Sequence, residues 1–298
     1  MKTLVTGGTG FIGSNLANKL LADGHEVFVT GLEQNPNPKF INLGGDFHDL
    51  DWGKLGRLDV LFHQAAINDT TLKNRTEMFR INVDWPKELF KQVVQKGCRH
   101  IVYASSTAVY GNVPPPYRED GPTEALNVYA ESKLDFDDFV VEFAKKNPTV
   151  VIVGLRYCNV YGPGENKKGK RATMIYQLAQ QMFKGNPRIF KYGEQKRDYI
   201  YIKDVILANL LASKAQESCI VNCGFGEAVS FNRLVEILNS VLGTNRNSEY
   251  FDNPHEGSYQ NFTECDMTYA KEKIGFVPKF DIEKGITDYF KSGFLTQE

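Results

Sequence analysis

The 298-residue chain has no excess of charge: 35 basic residues face 36 acidic ones, the formal net charge is −1, and both signs are spread along the sequence. Such a chain advertises no polyanion-binding surface, and nucleic acid is not an expected partner. The longest basic cluster, Lys167-Lys168-Gly169-Lys170-Arg171, is short. It reads either as a solvated loop or as a contact for phosphate or substrate. No run approaches the roughly 20 apolar residues that cross a bilayer, and Val5 leads straight into a glycine loop rather than a long apolar leader. No membrane partner is expected, and the cytoplasm is the expected compartment. Cysteine is scarce, odd in number and scattered: Cys98, Cys158, Cys219, Cys223 and Cys265. Cys219 and Cys223 share a face of a predicted strand, but no His or second Cys pair completes a metal set. These read as buried free thiols in a reducing compartment, with no metal expected. Internal repeats, low-complexity stretches and flexible linkers are missing too, and Pro114-Pro115-Pro116 reads as a surface loop.

What the chain does have is length enough for one large α/β domain or two lobes, and the stretch Tyr129-Ala130-Glu131-Ser132-Lys133. Asn127 to Lys146 contains no Pro or Gly and reads as a helix. On it, Tyr129 and Lys133 project from one face, one turn apart. A free tyrosine titrates near pH 10, so about one in a thousand is phenolate at neutral pH. A cation within about 4–6 Å lowers that pKa by roughly 1–3 units, which makes the pair an acid/base suited to a sugar or alcohol hydroxyl. Alone, the spacing is a weak signal.

Taken in order, Lys2–Thr6 is an apolar strand, then Gly7-Gly8-Thr9-Gly10-Phe11-Ile12-Gly13 opens an amphipathic helix to about Asp23. Glycines at 7, 10 and 13 permit a tight turn and close approach of a pyrophosphate to the helix N-terminus. A strand before and a helix after make the motif persuasive. Residues 26–30 form a second strand, whose tip is where an Asp normally holds the adenine ribose of NAD. Gly31-Leu32-Glu33 stands there instead. A ribose 2′-phosphate would not be repelled and Lys39 could reach it, whereas Glu33 could turn back into the NAD role; the balance tilts slightly to NADP. Asp46-Phe47 is placed to edge the adenine. Residues 58–63 form a strand running into Gln64-Ala65-Ala66-Ile67, small residues that leave room for the dinucleotide. A charged helix spans 75–96 with Asn82 inside it. Residues 100–104 form a strand ending in Ser105-Ser106-Thr107, hydroxyls at the strand end that faces the crevice of a doubly wound sheet. After the Tyr129 helix come a strand over 149–156 and then Tyr157-Cys158-Asn159-Val160-Tyr161-Gly162-Pro163. A helix over 173–184, a short strand near Ile189, a strand over 199–202, a helix over 231–242 and a polar tail with scattered aromatics complete the chain. This alternation predicts an α/β fold, a doubly wound parallel sheet of Rossmann type with a smaller α/β C-terminal lobe. Residues 1–160 and 193–222 are assigned to dinucleotide binding, 161–192 and 223–298 to substrate.

With the glycine loop, Ser105-Ser106-Thr107-Ala108-Val109-Tyr110-Gly111, the Tyr129/Lys133 pair, Arg156-Tyr157-Cys158-Asn159 and Arg197-Asp198-Tyr199 in hand, the chain resembles the extended short-chain dehydrogenase/reductases that act on nucleotide sugars. The likeness runs essentially its whole length. It implies that Ser106 hydrogen-bonds the reacting hydroxyl, that Tyr129 is the acid/base, and that Lys133 holds the nicotinamide ribose while depressing the Tyr129 pKa. It also implies that Asn159 and Arg197 hold the nucleotide diphosphate; the plain alternative is that Asn159 caps a loop and Arg197 pairs with Asp198. Relatives that dehydrate carry an Asp-Glu pair after the serine, and decarboxylases keep the Glu. Thr107 and Ala108 stand here and can serve as neither acid nor base, which leaves epimerisation or simple redox.

Within the epimerases, the segment from Asn159 to Gly169 resembles the ADP-L-glycero-D-manno-heptose 6-epimerases. So do Asp69-Thr70-Thr71, Phe190 to Asp198, and Tyr259 to Thr263. That resemblance implies substrate contacts from Thr70, Thr71 and Tyr259, and makes Lys168 a second acid/base: a transient ketone that turns over presents its oxygen to Tyr129 in one orientation and to Lys168 in the other. Lys168 must then be desolvated or lie near another cation, and Lys167, Lys170 and Arg171 supply the latter. The plain alternative is an exposed lysine that attracts phosphate. The chain departs from the pattern at Gly31, at Arg171, which replaces a small-to-apolar stretch, and at Ser258, where an Arg is usual. A UDP-hexose 4-epimerase or a nucleotide-sugar reductase stays open. So does a non-catalytic NAD(P)-binding sensor or scaffold, although that reading sits poorly with an intact Ser106, Tyr129 and Lys133. The resemblance further implies tightly bound NADP or NAD, a nucleotide-diphosphate sugar as partner, and a homodimer or higher homo-oligomer, with the 75–96 helix and the Tyr129 helix as contact surfaces.

Overall fold

The strands of the main sheet are mostly apolar runs, and such runs are stable only where both faces of a sheet are covered. In a computed structural model that describes residues 1–32, 37–45, 47–253 and 260–296, they form one parallel sheet: β1 (Lys2–Thr6), β2 (Glu26–Val29), β3 (Ile41–Asn42), β4 (Val60–His63), β5 (His100–Ser106), β6 (Val151–Tyr157) and β7 (Cys219–Cys223). Their spatial order is 7-6-5-4-1-2-3, so the direction of winding reverses between β1 and β4. Thr3 lies beside Val60 and Thr6 beside His63. Successive side chains go to opposite faces: Val5, Phe62 and Val153 join a cluster with Leu16 and Leu20 of the Phe11–Ala22 helix. Leu4, Leu61 and Ile152 join another with Phe90 and Phe136.

Three features differ from the sequence reading. The 75–96 helix is not uniform: α-helix over Arg75–Phe79 and Trp85–Gln95 flanks a π-helical turn, Arg80–Asp84. Pro86 has no N–H to return to the carbonyl of Asn82, and the wider turn accommodates that loss. A helix at Ile202–Ala212 escaped notice because it is apolar on nearly every side, which erases the 3.6-residue period. The polar tail also contains helices, Thr268–Ile274 and Ile282–Lys291, the latter capped by Asp281, which accepts from Lys284 N. Outside the main sheet the chain makes short pairings: Ile200–Tyr201 with Val160–Tyr161, and Lys196–Asp198 between Ala228–Ser230 and Phe262–Thr263. No helix among the described residues is long and apolar enough to cross a membrane. All five cysteines are buried and free.

Candidate active site

The Phe11–Ala22 helix begins at Gly10 with no side-chain cap and no acidic residue in its first turn, so its first N–H groups are orphan donors. They face a cavity of about 410 Å³ at the sheet's winding reversal. Close packing of the turn requires the glycines: a Cβ on Gly13 would come within 2.1 Å of the Gly7 carbonyl oxygen. Ten residues predicted for the cofactor line this one groove: Gly7, Gly10, Phe11, Ile12, Gly13, Gly31, Phe47, Ala65, Ala66 and Ile67. Lys167, Lys168 and Arg171 line it too, and none of its described lining residues is acidic. Orphan N–H groups beside three cations fit a dinucleotide diphosphate. At the adenine end, a Cβ on Gly31 would overlap the Thr9 hydroxyl at 1.9 Å. A side chain at position 31 would therefore require Thr9 to move.

Other predicted cofactor residues sit elsewhere. Lys39 is exposed on a turn and is not among the residues lining the groove; Asp46 and Glu33 lie outside the described residues. Asn82 is buried behind the groove wall. Its amide accepts from Ile67 N (2.8 Å), donates to Ile67 O (2.9 Å) and reaches Ser132 Oγ (3.1 Å). It shapes the wall and ties it to the Tyr129 helix rather than lining the groove.

That helix, Val128–Lys146, starts at Asn127, whose side chain accepts from Ala130 N. Ser106, at the end of β5, is paired with the Tyr129 phenol and also accepts from Ala108 N at 3.2 Å. Lys133 is 5% exposed. Its ammonium donates to Ala104 O at 2.8 Å and lies 5.9 Å from the Tyr129 ring centre. The expected depression of the Tyr129 pKa is not found: burial raises it, the Ser106 bond pulls it back only in part, and Asp137 raises it further. Lys133 is itself lowered to about 8 by burial, with Asp137 opposing. In the protein alone, Tyr129 is therefore a proton donor at neutral pH. Asp137, one turn beyond Lys133 on the same face, was missed. Its carboxylate accepts from Tyr103 Oη (2.8 Å), Ser105 Oγ (3.0 Å) and Arg156 Nε (3.0 Å). The i, i+4, i+8 spacing was the available signal. Nearby, His63 is pushed down to about 3 by burial and is neutral, its Nδ1 2.7 Å from Thr6 Oγ1.

The predicted substrate residues are spread more widely. Lys168 lies under the Glu165–Arg171 turn, its ammonium 5.5 Å from the Phe11 ring. Burial lowers its pKa, Glu165 raises it and Arg171 lowers it further. Lys168 is thus desolvated and near a cation, as the second acid/base reading requires; the side chain of Lys170 lies outside the described residues. Thr71 closes a turn on Asp69, donating its N–H and hydroxyl to Oδ1, and Thr70 beside it is exposed. Asn159, with φ 39°, donates to the Asp198 backbone carbonyl at 2.8 Å. Arg197 is 9% exposed and donates to the Lys196 carbonyl. The Arg197–Asp198 side-chain pairing held open from the sequence does not form, because the Asp198 carboxylate accepts from the N–H groups of Phe225, Gly226 and Cys265. Ligand atoms of Cys158, Asp198 and Cys265 lie within 4.8 Å of one another, a juxtaposition invisible in the sequence; those three N–H bonds already occupy the carboxylate. Tyr259 and Ser258 lie outside the described residues.

The family model of the NAD dependent epimerase/dehydratase family matches residues 3–224. Among solved structures, the chain is similar to the Helicobacter pylori ADP-L-glycero-D-manno-heptose-6-epimerase, with 36% identity over 97% of this chain and 95% of that one and a TM-score of 0.87. It is similar to the Thermotoga maritima UDP-glucose 4-epimerase solved with UDP-glucose, at 28% identity, 98% and 99% coverage, and a TM-score of 0.89. It is also similar to a Methanobrevibacter ruminantium UDP-N-acetylglucosamine 4-epimerase, at 26% identity, 99% coverage of both chains and a TM-score of 0.90. A glycine groove at the winding reversal, a Ser-Tyr-Lys set at the end of β5 and a match across most of the sequence agree: the chain belongs to the NAD-dependent epimerase/dehydratase family.

Proposed function

We propose that the protein is a nucleotide-sugar epimerase of the ADP-heptose 6-epimerase kind, oxidising one carbinol of its substrate to a ketone and reducing it on the other face. The carrying observation is a second desolvated lysine, Lys168, on the wall of the groove that holds the glycine turn. Ser106 and Tyr129 form the first proton-transfer site, and no carboxylate follows Ser106 to drive elimination. When bound, oxidised nicotinamide supplies a hydride acceptor and a positive charge. A cation near the phenol favours its phenolate, so Tyr129 can take the hydroxyl proton that Ser106 orients and give it back on reduction. Lys133 stays a donor, already committed to the Ala104 carbonyl. Lys168 serves the ketone oxygen in its turned orientation. Gly7, Gly10–Gly13 and Ala65–Ile67 hold the dinucleotide, tightly enough that it is not exchanged between turnovers. Gly31, without a carboxylate, tilts the choice to NADP. Residues 161–192 and 223–298 are assigned to the sugar nucleotide, with Asn159, Arg197, Thr70, Thr71 and Tyr259 as its contacts, and the protein is a cytoplasmic homo-oligomer.

A UDP-hexose 4-epimerase is the second reading, favoured by TM-scores of 0.89 and 0.90 to two 4-epimerases. The test is to denature the purified protein, identify the released dinucleotide, and screen ADP-heptose and UDP-hexoses for stereochemical change without net reduced cofactor. Loss of 6-epimerisation in Lys168→Met supports the first reading. Unimpaired 4-epimerisation in that variant supports the second. Net accumulation of reduced cofactor would mark a dehydrogenase instead.

A further inference from the structure

We propose that the segment from Gly162 to Arg171 is a strap that retains the dinucleotide, with the Arg171–Asn68 bond as its latch. This rests on the dinucleotide reading of the groove and not on the identity of the sugar.

The strap is pinned at three points. Asn15, one turn into the Phe11–Ala22 helix, donates to the Phe11 carbonyl at 2.9 Å and to the Pro163 carbonyl at 3.0 Å. Glu165 is wholly buried and holds both ends of the segment on one carboxylate, accepting from Gly162 N at 3.2 Å and Thr173 N at 2.9 Å. At the far end Arg171 Nη1 donates to Asn68 Oδ1 at 3.2 Å. Between these pins Lys168 is carried over the Phe11 ring.

The pins differ in what would break them. Those at Asn15 and Glu165 lie in partly or fully buried surroundings, where a freed polar group would be left without water. Arg171 and Asn68 are both exposed, and water can replace either partner. Opening therefore starts at Arg171. Asn68 follows directly on Ile67 at the end of the β4 loop, so the latch joins that wall of the groove to the strap. An epimerase returns its hydride to the same substrate and has no need to exchange cofactor each cycle. A strap with one weak pin gives retention without permanent enclosure.

The test is the release rate of the bound dinucleotide from loaded protein, followed by chasing with excess free dinucleotide and quantifying by mass spectrometry. Arg171→Ala and Asn68→Ala should each release about tenfold faster, as expected for losing one charge-assisted bond. The double variant should release no faster than either single one, because both remove the same bond. Arg171→Lys should fall between wild type and Arg171→Ala. Unchanged release in Arg171→Ala, or single effects that multiply in the double variant, would overturn the latch. Circular dichroism on each variant separates local opening from unfolding, and because no sugar is present, an inactive sugar assay leaves the result intact.

Discussion

Two lysines, Lys133 buried and Lys168 half-buried, are desolvated by opposite means. Lys133 is placed by helix periodicity: Tyr129, Lys133 and Asp137 fall on one face of an uninterrupted helix. Lys168 sits on an irregular segment containing Gly164 at φ 97° and Gly169 at φ 55°, and its position depends on Asn15, Glu165 and Asn68, all remote from it or folded back on it. Each lysine is lowered by burial and supported by a buried carboxylate that makes its own bonds elsewhere. Asp137 is in turn paired with Arg156, whereas Glu165 is held by backbone N–H groups. The rigid lysine suits a constant role at the helix face, and the strapped one suits a role that opens and closes with the ligand.

The contrast can be broken most sharply at the phenol. Tyr129→Phe should reduce epimerisation by about a thousandfold or more while the dinucleotide still copurifies; near-normal turnover would remove the phenol from the chemistry. Lys133→Met should cost about a hundredfold in rate and yet stabilise the fold. Folded Lys133 titrates near 8 and an unfolded lysine above 10. Between those values the unfolded chain binds the additional proton, so wild-type stability rises with pH across that window, and below it the full burial cost of about 3 kcal/mol applies. Denaturant melts at pH 7 should favour Lys133→Met, and the gap should close above pH 10. Lys168→Met should lower 6-epimerisation by about a hundredfold, with a pH-dependent stability change of the same sign as for Lys133, because burial lowers its pKa as well. The smallest effect concerns Asp137→Asn. Its carboxylate raises both Tyr129 and Lys133, so both limbs of the pH–rate profile should move to lower pH, by about one unit. The substitution also takes the charge partner from Arg156, which keeps its bond to the Tyr110 hydroxyl, so some loss of stability should accompany the shift. A profile that stays in place would leave Asp137 with a purely structural role.

Much of the groove was legible because its residues are local to one another. The glycine turn, the small residues after β4 and the Tyr129 face each occupy a few consecutive or helically spaced positions, and backbone geometry converts that spacing into proximity. The Phe231–Leu242 helix was readable for the same reason, since its apolar stripe keeps the helical period. Ile202–Ala212 was not, because apolar residues on nearly every side leave no stripe to read. The bonds of Asn82 to Ile67 were not legible, because they join a π-helical turn to the loop after β4. The direction of the Tyr129 shift was misjudged because spacing reports nearness to Lys133 but says nothing of desolvation, which is the larger influence here.

Taken alone, the amino-acid sequence determined the alternation of strand and helix, the glycine turn and the shared face of Tyr129 and Lys133, because each follows from steric rules acting over short stretches of chain. Only the tertiary structure decided the protonation of the phenol, the pairing of Asp137 with Arg156 and the pinning of Lys168 over the helix start. Those depend on solvent exclusion and on contacts between residues far apart in the chain, and no local spacing encodes either.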